Sequence, residues 1–276
     1  LPGPLVSVDW LADNIHNKGV KVVDASMPAG PNAIPGARHF DIDAACDTSS
    51  TLPHMLPSPE VFADHVAGAG VTAGDAVVVY HDASSPCGPR LSWMFEVFGW
   101  PRGQVAVLDG GLEAWVAQGH AVSSHEPPAA PAPQRFQASW PTRSQVANLQ
   151  DIIEELHDHS GAVVLDARSS ARFAGAAPEP RPLPSGHMPG SANLPFPDLM
   201  TQDGTMKPVP ELRAAFDSAG IAGKVVYSSC GSGITACVLW LGHRLAYPEA
   251  DSVRVFDGSW TEWAIRFVVS SLAGQP

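Results

Sequence analysis

The chain has 276 residues, 45% of them apolar, so it can form the cores of two domains of ordinary size and is not a disordered protein. Its net charge is −12, and Lys and Arg form no run, which disfavours a nucleic-acid surface. No apolar segment approaches the roughly 20 residues needed to cross a bilayer. We therefore predict neither nucleic acid nor membrane as a partner.

The four cysteines are Cys46, Cys87, Cys230 and Cys237. They form no Cys-x-x-Cys pair, and no His pair stands at zinc-finger spacing, so no structural metal is predicted. A chain of this size does not need disulfides, so the thiols are expected to be reduced. Residues 1–4 lack the basic and apolar regions of a signal peptide. These features predict a cytoplasmic protein.

Short apolar segments rich in β-branched residues alternate with segments whose apolar residues recur three and four positions apart. The first pattern is typical of strands buried on both faces of a parallel sheet, and the second of helices. The clearest predicted helices are, in chain order, 60–69, 91–98, 150–157 and 236–245, and the clearest strands are 162–165, 225–227 and 253–256. Strands that alternate with helices indicate an α/β fold with a parallel sheet.

Four motifs of the first half recur in the same order in the second half. The matching pairs are 22–25 with 164–167, 34–37 with 188–191, 77–80 with 224–227, and 107–111 with 255–259. This repetition indicates one fold duplicated within the chain, each copy a parallel sheet flanked by helices.

A Pro-rich segment, residues 125–133, separates the two copies. Proline cannot continue a helix or a central strand, and this composition favours an extended linker. We therefore predict a first domain at residues 1–120, a linker at 121–143 and a second domain at 144–276.

Residues 225–236 contain the motif that points to chemistry. A buried strand ends, Cys-Gly-Ser-Gly follows, and an apolar helix begins. Cys230 is therefore expected at the carboxyl edge of the sheet, where such sheets bind ligands. Gly231 and Gly233 let the backbone curl, so that its N–H groups form an anion-binding nest. This nest and the helix dipole would stabilise a thiolate or a persulfide, so we predict Cys230 as a nucleophile.

Two other functions are compatible with a cysteine at this place. One is a buried core thiol without chemistry, which is our interpretation of Cys237 inside the helix. The other is a cysteine phosphatase, which needs an Arg six residues after the cysteine to bind phosphate. That position is Ala236, and no Lys or Arg lies between Cys230 and His243, so phosphate chemistry is disfavoured. Cys46 and Cys87 are assigned no role.

These motifs resemble those of the rhodanese superfamily and, within it, those of the mercaptopyruvate sulfurtransferases. The resemblance covers nearly the whole chain and includes residues 186–190, which are similar to the family's Gly-His-Ile-Pro-Gly turn. Its most specific part is residues 230–236, which resemble the family's Cys-Gly-Ser-Gly-Val-Thr-Ala loop with Ile234 in place of Val. The sister thiosulfate enzymes carry basic residues after the cysteine. Thiosulfate is a dianion and gains from a cationic rim, whereas 3-mercaptopyruvate carries one carboxylate and a ketone.

The resemblance implies that Arg172 and Arg181 bind the carboxylate and carbonyl of the donor, which a guanidinium fork matches well. Arg168, directly after a strand, is interpreted as structural. The other implied substrate-binding residues lie in the loop itself: Gly231, Gly233, Ile234 and Thr235.

The resemblance also implies a Ser-His-Asp arrangement with members from both domains. Ser232 would supply the hydroxyl, His54 the acid or base, and Asp43 the orienting carboxylate. The spacing of these residues alone does not predict this arrangement.

The first domain departs from the family pattern. Ala33 stands where the His-x-Pro-Gly turn would have its His. The counterpart of Cys230 is expected near Asp82 or Ala83, which are not nucleophilic and are not followed by Gly-x-Gly. We therefore predict a catalytically silent first domain that contributes His54 and Asp43.

The activity implied by the resemblance is transfer of sulfur from 3-mercaptopyruvate through a Cys230 persulfide to thioredoxin, a small thiol or cyanide, with release of pyruvate. It implies a monomer that needs neither a metal nor an organic cofactor. Three alternatives stay open: a thiosulfate sulfurtransferase, a non-catalytic rhodanese-like binding module, and a redox sensor that oxidises the same thiol.

Overall fold

Two compact units make up the fold. The residues that this computed structural model describes are 1–129, 135–142, 144–158 and 161–269. The first unit comprises Leu1–Ser49, Leu56–Pro141 and Met200–Met206, and the second comprises Ser50–Met55, Thr142–Leu199 and Lys207–Pro276. Each unit therefore contains a short segment that lies, in sequence, between parts of the other.

The first unit is a five-stranded sheet with helices. Its strands are β1 (Leu5–Val6), β2 (Val20–Asp24), β3 (Arg38–His39), β4 (Ala76–Tyr80) and β5 (Val105–Leu108). Its helices are α1 (Val8–Asn14), α2 (Pro59–Gly68), α3 (Gly88–Val97) and α4 (Gly111–Ala117). The strands are all parallel and lie in the order β1-β5-β4-β2-β3.

The second unit repeats this architecture. Its strands are β6 (Val146–Ala147), β7 (Val163–Asp166), β8 (Ala192–Asn193), β9 (Val226–Ser229) and β10 (Val253–Phe256). Its helices are α5 (Leu149–Asp158), α6 (Ser170–Phe173), α7 (Val209–Ser218), α8 (Ala236–Ala246) and α9 (Ser259–Trp263), with a 3₁₀ turn at Phe196–Leu199 and a π-helix at Ala264–Val269. The strands are again parallel, in the corresponding order β6-β10-β9-β7-β8. The predicted α/β fold and its duplication are confirmed.

Burial explains why the sequence shows these elements so clearly. The central strand β4 is almost wholly buried and is a continuous apolar segment rather than an alternating one. The helix α3 begins at Gly88, three residues before the predicted 91, because a proline fits the first turn and Cys87 provides no side-chain cap to mark the start.

The predicted linker, residues 121–143, lies partly outside the described residues, at 130–134 and 143. Its described beginning is bonded to the first unit. Ser123 and Ala33 exchange both backbone hydrogen bonds, at 2.8 and 2.7 Å, and Ala129 N–H donates to the Gly68 carbonyl at 2.9 Å. The predicted bounds of the linker stay a prediction.

Among the described residues, no helix combines the length and the apolar character that crossing a membrane requires.

The last turn of α8 contains a buried histidine. His243 is 3% exposed, and its Nδ1 has no hydrogen-bond partner. Its ring packs against Phe216 and Tyr247, with centroids 5.6 and 5.0 Å away. Burial lowers the pKa of His243 to about 4, so the folded chain keeps the imidazole neutral at ordinary pH.

This histidine predicts a loss of stability in mild acid. Between pH 6.5 and about 4 only the unfolded chain binds a proton at His243, so the contribution is full above pH 6.5 and is lost as the pH falls. His243→Phe keeps the ring contacts and removes this titration. From about pH 7.5 to about pH 4.5 the wild-type protein should lose about 2 kcal/mol more unfolding free energy than the variant. Urea unfolding followed by circular dichroism measures this difference.

The matched control is His16→Asn, because His16 is exposed. It should follow the wild-type acid dependence. Parallel pH profiles for the wild type and His243→Phe would contradict the assignment.

Candidate active site

Cys230 lies at the carboxyl end of β9, where the sequence predicted it. It is 2% exposed and begins the loop 230–235 that leads into α8. Its backbone is held on both sides by the start of α9. The Cys230 N–H donates to Ser259 Oγ at 3.1 Å, and the Cys230 carbonyl accepts from the Trp260 N–H at 2.9 Å. The predicted nucleophile is therefore fixed in position by a neighbouring element of the same unit.

Ser259 supports this contact from an unusual backbone conformation. Its φ is 50°, a left-handed value that is uncommon for a residue with a side chain and is often found at functional sites. Its hydroxyl accepts from Cys230 and donates to the Phe256 carbonyl at 2.8 Å. The sequence analysis missed Ser259. The repeat could have revealed it, because Gly111 stands at the matching position of the first half with φ 59°.

Two glycines of the loop have different reasons to be glycine. Gly233 has φ 81°, which a residue with a Cβ adopts only under strain. Gly231 has no such backbone, but a Cβ at this position would lie 3.1 Å from Arg172 Nη2. Gly231 directly follows Cys230, and because it has no side chain it leaves room for the Arg172 guanidinium there.

Arg172 reaches this place from α6. Ser169 caps the first turn of the helix by accepting from the Arg172 N–H at 3.4 Å. The guanidinium pairs with Glu179 through two bonds, Nη2 to Oε2 at 2.5 Å and Nε to Oε1 at 3.2 Å. The side chain of Arg172 is 24% exposed and that of Glu179 is 3% exposed. A buried carboxylate thus holds one edge of a partly exposed guanidinium.

Arg168 holds Glu179 from its other side. The Arg168 guanidinium donates from Nη1 to Glu179 Oε1 at 2.8 Å and from Nη2 to Asp166 Oδ2 at 2.6 Å. It also donates to the Gly186 carbonyl at 2.7 Å and stacks over the Trp260 ring at 4.6 Å. These contacts agree with the structural role predicted for Arg168. The bridging role of Glu179 was not predicted from the sequence.

Arg181 and His54, both predicted site residues, lie next to each other in the second unit. Arg181 Nη2 is 3.2 Å from His54 Nε2. A guanidinium only donates, so Nε2 accepts and the proton of a neutral His54 resides on Nδ1. His54 also has a left-handed backbone, with φ 59°. This strained geometry favours the functional interpretation of His54 over an unconstrained surface histidine.

The remaining predicted residues divide between the units. Ser232 and Ile234 are buried in the Cys230 loop, and Thr235 is the residue before the first turn of α8. Asp43 belongs to the first unit, where it is exposed and its carbonyl accepts from Cys46 Sγ at 2.9 Å. Its orienting role stays a prediction.

His81 is the counterpart of Cys230 in the first unit. Each follows the last residue of the matching strand, β4 or β9. The His81 carbonyl accepts from the Leu112 N–H at 3.0 Å, as the Cys230 carbonyl accepts from Trp260. Leu112 and Trp260 also occupy matching positions, three residues after the Asp of each Asp-Gly motif.

The expectation of Asp82 or Ala83 as the counterpart was therefore wrong. The loop before α3, residues 81–87, is one residue longer than the loop 230–235, so counting back from the Asp-Gly motifs leads to Asp82. The pairing of 77–80 with 224–227 leads to Ala83 because it is two residues out of register: the strand pairings match Tyr80 with Ser229. Burial lowers the pKa of His81 to about 4, so a neutral imidazole occupies the position that Cys230 has in the second unit.

The thiols of the first unit are not activated. Burial raises the pKa of Cys87 to about 11. It also raises the pKa of Cys46, an effect to which the nearby Asp43 carboxylate adds. A thiol with a raised pKa carries little thiolate at neutral pH, so neither residue is a good nucleophile.

Comparisons with known proteins find the same domain in each half of the chain. Residues 7–118 and 148–266 each match the family model of the rhodanese-like domain. The 3-mercaptopyruvate sulfurtransferase of Rattus norvegicus is 38% identical over 95% of this chain and 92% of its own length. The thiosulfate sulfurtransferase of Bos taurus is 37% identical over 94% of this chain and 91% of its own.

A solved structure is similar over the same length. The crystal structure of SseA from Escherichia coli, a 3-mercaptopyruvate sulfotransferase with the rhodanese fold, has a TM-score of 0.79 at 34% identity. The match covers 94% of this chain and 99% of that one.

The two loop glycines predict different effects of an added methyl group. Gly233→Ala should lower the free energy of unfolding by about 1–2 kcal/mol, because alanine is strained in the left-handed region. Gly231→Ala should lower it by less than about 0.5 kcal/mol, because the end of the Arg172 side chain can move. Urea unfolding of the two variants tests this, and equal losses would contradict the distinction.

Proposed function

This chain belongs to the rhodanese family, and we propose that it is a sulfurtransferase that takes the sulfur of 3-mercaptopyruvate onto Cys230. The observation that carries the choice of donor is the place of Arg172 Nη2 beside Gly231. A neutral Gly-Ser pair after the cysteine, with the Arg172 guanidinium to one side of it, suits a donor with a single carboxylate.

In the first half-reaction the Cys230 thiolate attacks the donor's sulfur. An S–S bond forms as the donor's C–S bond breaks, and the electron pair of that bond leaves with carbon as the enolate of pyruvate. Arg172 and Arg181 bind the carboxylate and the carbonyl oxygen, on which the enolate charge develops. The enolate then takes up a proton and leaves as pyruvate.

Ser232, His54 and Asp43 manage that proton. Ser232 lies in the nucleophile's own loop, and His54 adjoins Arg181, which we propose as a ligand of the carbonyl. The proton comes from the thiol of the donor: the Ser232 hydroxyl gives its own proton to the enolate carbon and takes up the thiol proton, with His54 as the acid or base that assists the transfer. Asp43 would orient the imidazole.

In the second half-reaction an acceptor removes the outer sulfur of the persulfide. A dithiol such as thioredoxin becomes a disulfide and releases hydrogen sulfide, a small thiol becomes a persulfide, and cyanide becomes thiocyanate. Each returns Cys230 as thiolate, which gives ping-pong kinetics. We propose that the protein acts as a monomer in the cytoplasm, a reducing compartment that suits its four free thiols.

Thiosulfate is the second candidate donor, favoured by the similarity to the thiosulfate sulfurtransferase of Bos taurus. A higher kcat/KM for thiosulfate than for 3-mercaptopyruvate would replace our choice of donor without changing the role of Cys230.

Cys230→Ser should reduce pyruvate release from 3-mercaptopyruvate by at least about a thousandfold, because a hydroxyl is a weak nucleophile and cannot carry sulfur. The matched control is Cys237→Ala, which removes the other buried thiol of this unit and should keep most of the activity. Mass spectrometry should find one added sulfur atom on Cys230 in the wild type and in the control.

Two results would overturn this assignment. Pyruvate release by Cys230→Ser would refute the nucleophile. No sulfur on wild-type Cys230 after exposure to either donor would favour a binding module.

Arg172→Lys should raise KM for 3-mercaptopyruvate about tenfold and change kcat less, because an ammonium cannot pair with Glu179 and present a planar fork to the donor together. The matched control is Arg213→Lys on α7, whose Nε donates to the Ala246 carbonyl at 2.7 Å, away from the loop. Initial rates over a range of donor concentrations measure both constants. An unchanged KM would remove Arg172 from the donor site.

A further inference from the structure

Four charged side chains of alternating sign form a chain in the second unit. Asp166 pairs with Arg168, Arg168 with Glu179, and Glu179 with Arg172. The side chains of Asp166, Arg168 and Glu179 are between 0% and 3% exposed, and Arg172 at the end of the chain is 24% exposed. The formal charges sum to zero, so the Arg172 guanidinium beside the loop is balanced by the carboxylate behind it.

This balance matters because burial strengthens electrostatic interactions. Charges in a half-buried place interact several times more strongly than in water. An anion that meets Arg172 therefore also meets the field of the Glu179 carboxylate, which lies within 2.5 Å of the same guanidinium. The repulsion grows with each negative charge on the anion, so it penalises a dianion more than a monoanion.

We propose that Glu179 determines which donor charge the site prefers. Its carboxylate offsets the positive charge of Arg172, so the site selects a donor with one negative charge over a dianion such as thiosulfate. The proposal rests on the proposed function of this site and names its specificity residue. Glu179 acts through Arg172 and is a positioning and tuning residue rather than a catalytic one.

Other contacts hold the frame without the Glu179 charge. Arg168 keeps its bonds to Asp166 and to the Gly186 carbonyl. Arg172 stays on α6, whose first turn Ser169 still caps. A glutamine at position 179 has the size of glutamate and keeps one acceptor oxygen, so Glu179→Gln changes the charge more than the geometry.

The test compares kcat/KM for thiosulfate and for 3-mercaptopyruvate in three variants. Glu179→Gln should move the ratio of the two constants about tenfold toward thiosulfate, the effect of one unit of charge in a half-buried site. Glu179→Asp keeps the charge, so its ratio should stay within about twofold of the wild type even if both constants fall. The control Glu211→Gln removes an exposed charge on α7 and should leave the ratio unchanged.

A purely structural role predicts a different result. If both constants fell together in Glu179→Gln, with no change in their ratio, the proposal would be wrong. Glu179→Asp tests it independently should the glutamine variant not fold: a tenfold shift toward thiosulfate with the charge retained would also overturn it.

Equilibrium binding separates this proposal from the proposed function. In the Cys230→Ser protein, sulfate and pyruvate serve as a dianionic and a monoanionic probe that need no turnover. Calorimetry should show that Glu179→Gln, added to this background, increases the affinity for sulfate relative to pyruvate about tenfold. A wild-type protein that transferred no sulfur would refute the proposed function alone, whereas unchanged relative affinities would refute the tuning role.

Discussion

The rest of the site depends on the contacts of one buried group, the Arg168 guanidinium. Each of its three nitrogens donates to an acceptor, and its face stacks on Trp260. Burying such charges costs several kcal/mol per ion, so a network of this kind adds little to stability and much to the definition of position. It places Glu179 at one end. On its stacking face lies Trp260, whose backbone N–H donates to the Cys230 carbonyl.

The first unit has the same strand ending, but other side chains surround its carboxylate. Asp24 ends β2 as Asp166 ends β7, but Ser26 stands at the position of Arg168. The Ser26 N–H and hydroxyl donate to Asp24 Oδ1 at 2.8 and 2.5 Å, and His125 Nε2 lies 2.7 Å from Oδ2. The Asp24 carboxylate therefore has Ser26 and His125 as partners and binds no arginine among the described residues. In its described residues the first unit therefore has His81 in place of the cysteine and no counterpart of the Arg168 and Arg172 pairs.

The fold could be predicted because its evidence in the sequence is local and repeated. Strands buried on both faces give continuous apolar segments, and the duplication shows each pattern twice. Cys230 could be predicted for the same reason, since a strand, a glycine-rich turn and a helix follow one another directly. Arg172 and Arg181 came only from the family resemblance. Their segment has no periodicity that would indicate where the side chains lie.

Glu179 could not be predicted from the sequence, because its role depends on how an irregular loop folds back. Its partners lie seven and eleven residues away along the chain, a spacing that no regular element would bring together. Ser259 was missed for another reason. Its hydroxyl matters only because the backbone is left-handed there, and the glycine at the matching place of the first half was the available indication.

Gly231 and Gly233 look alike in the sequence, yet they limit the site in different ways. Gly233 serves the backbone, whereas Gly231 leaves room for the end of the Arg172 side chain, which would have to shift slightly for a larger residue. Positive charge can in principle reach this loop from a basic residue directly after the cysteine or from an arginine of α6. The chain uses the second route. Because that arginine is paired with a carboxylate, its attraction for an anion can be tuned through Glu179, as we propose.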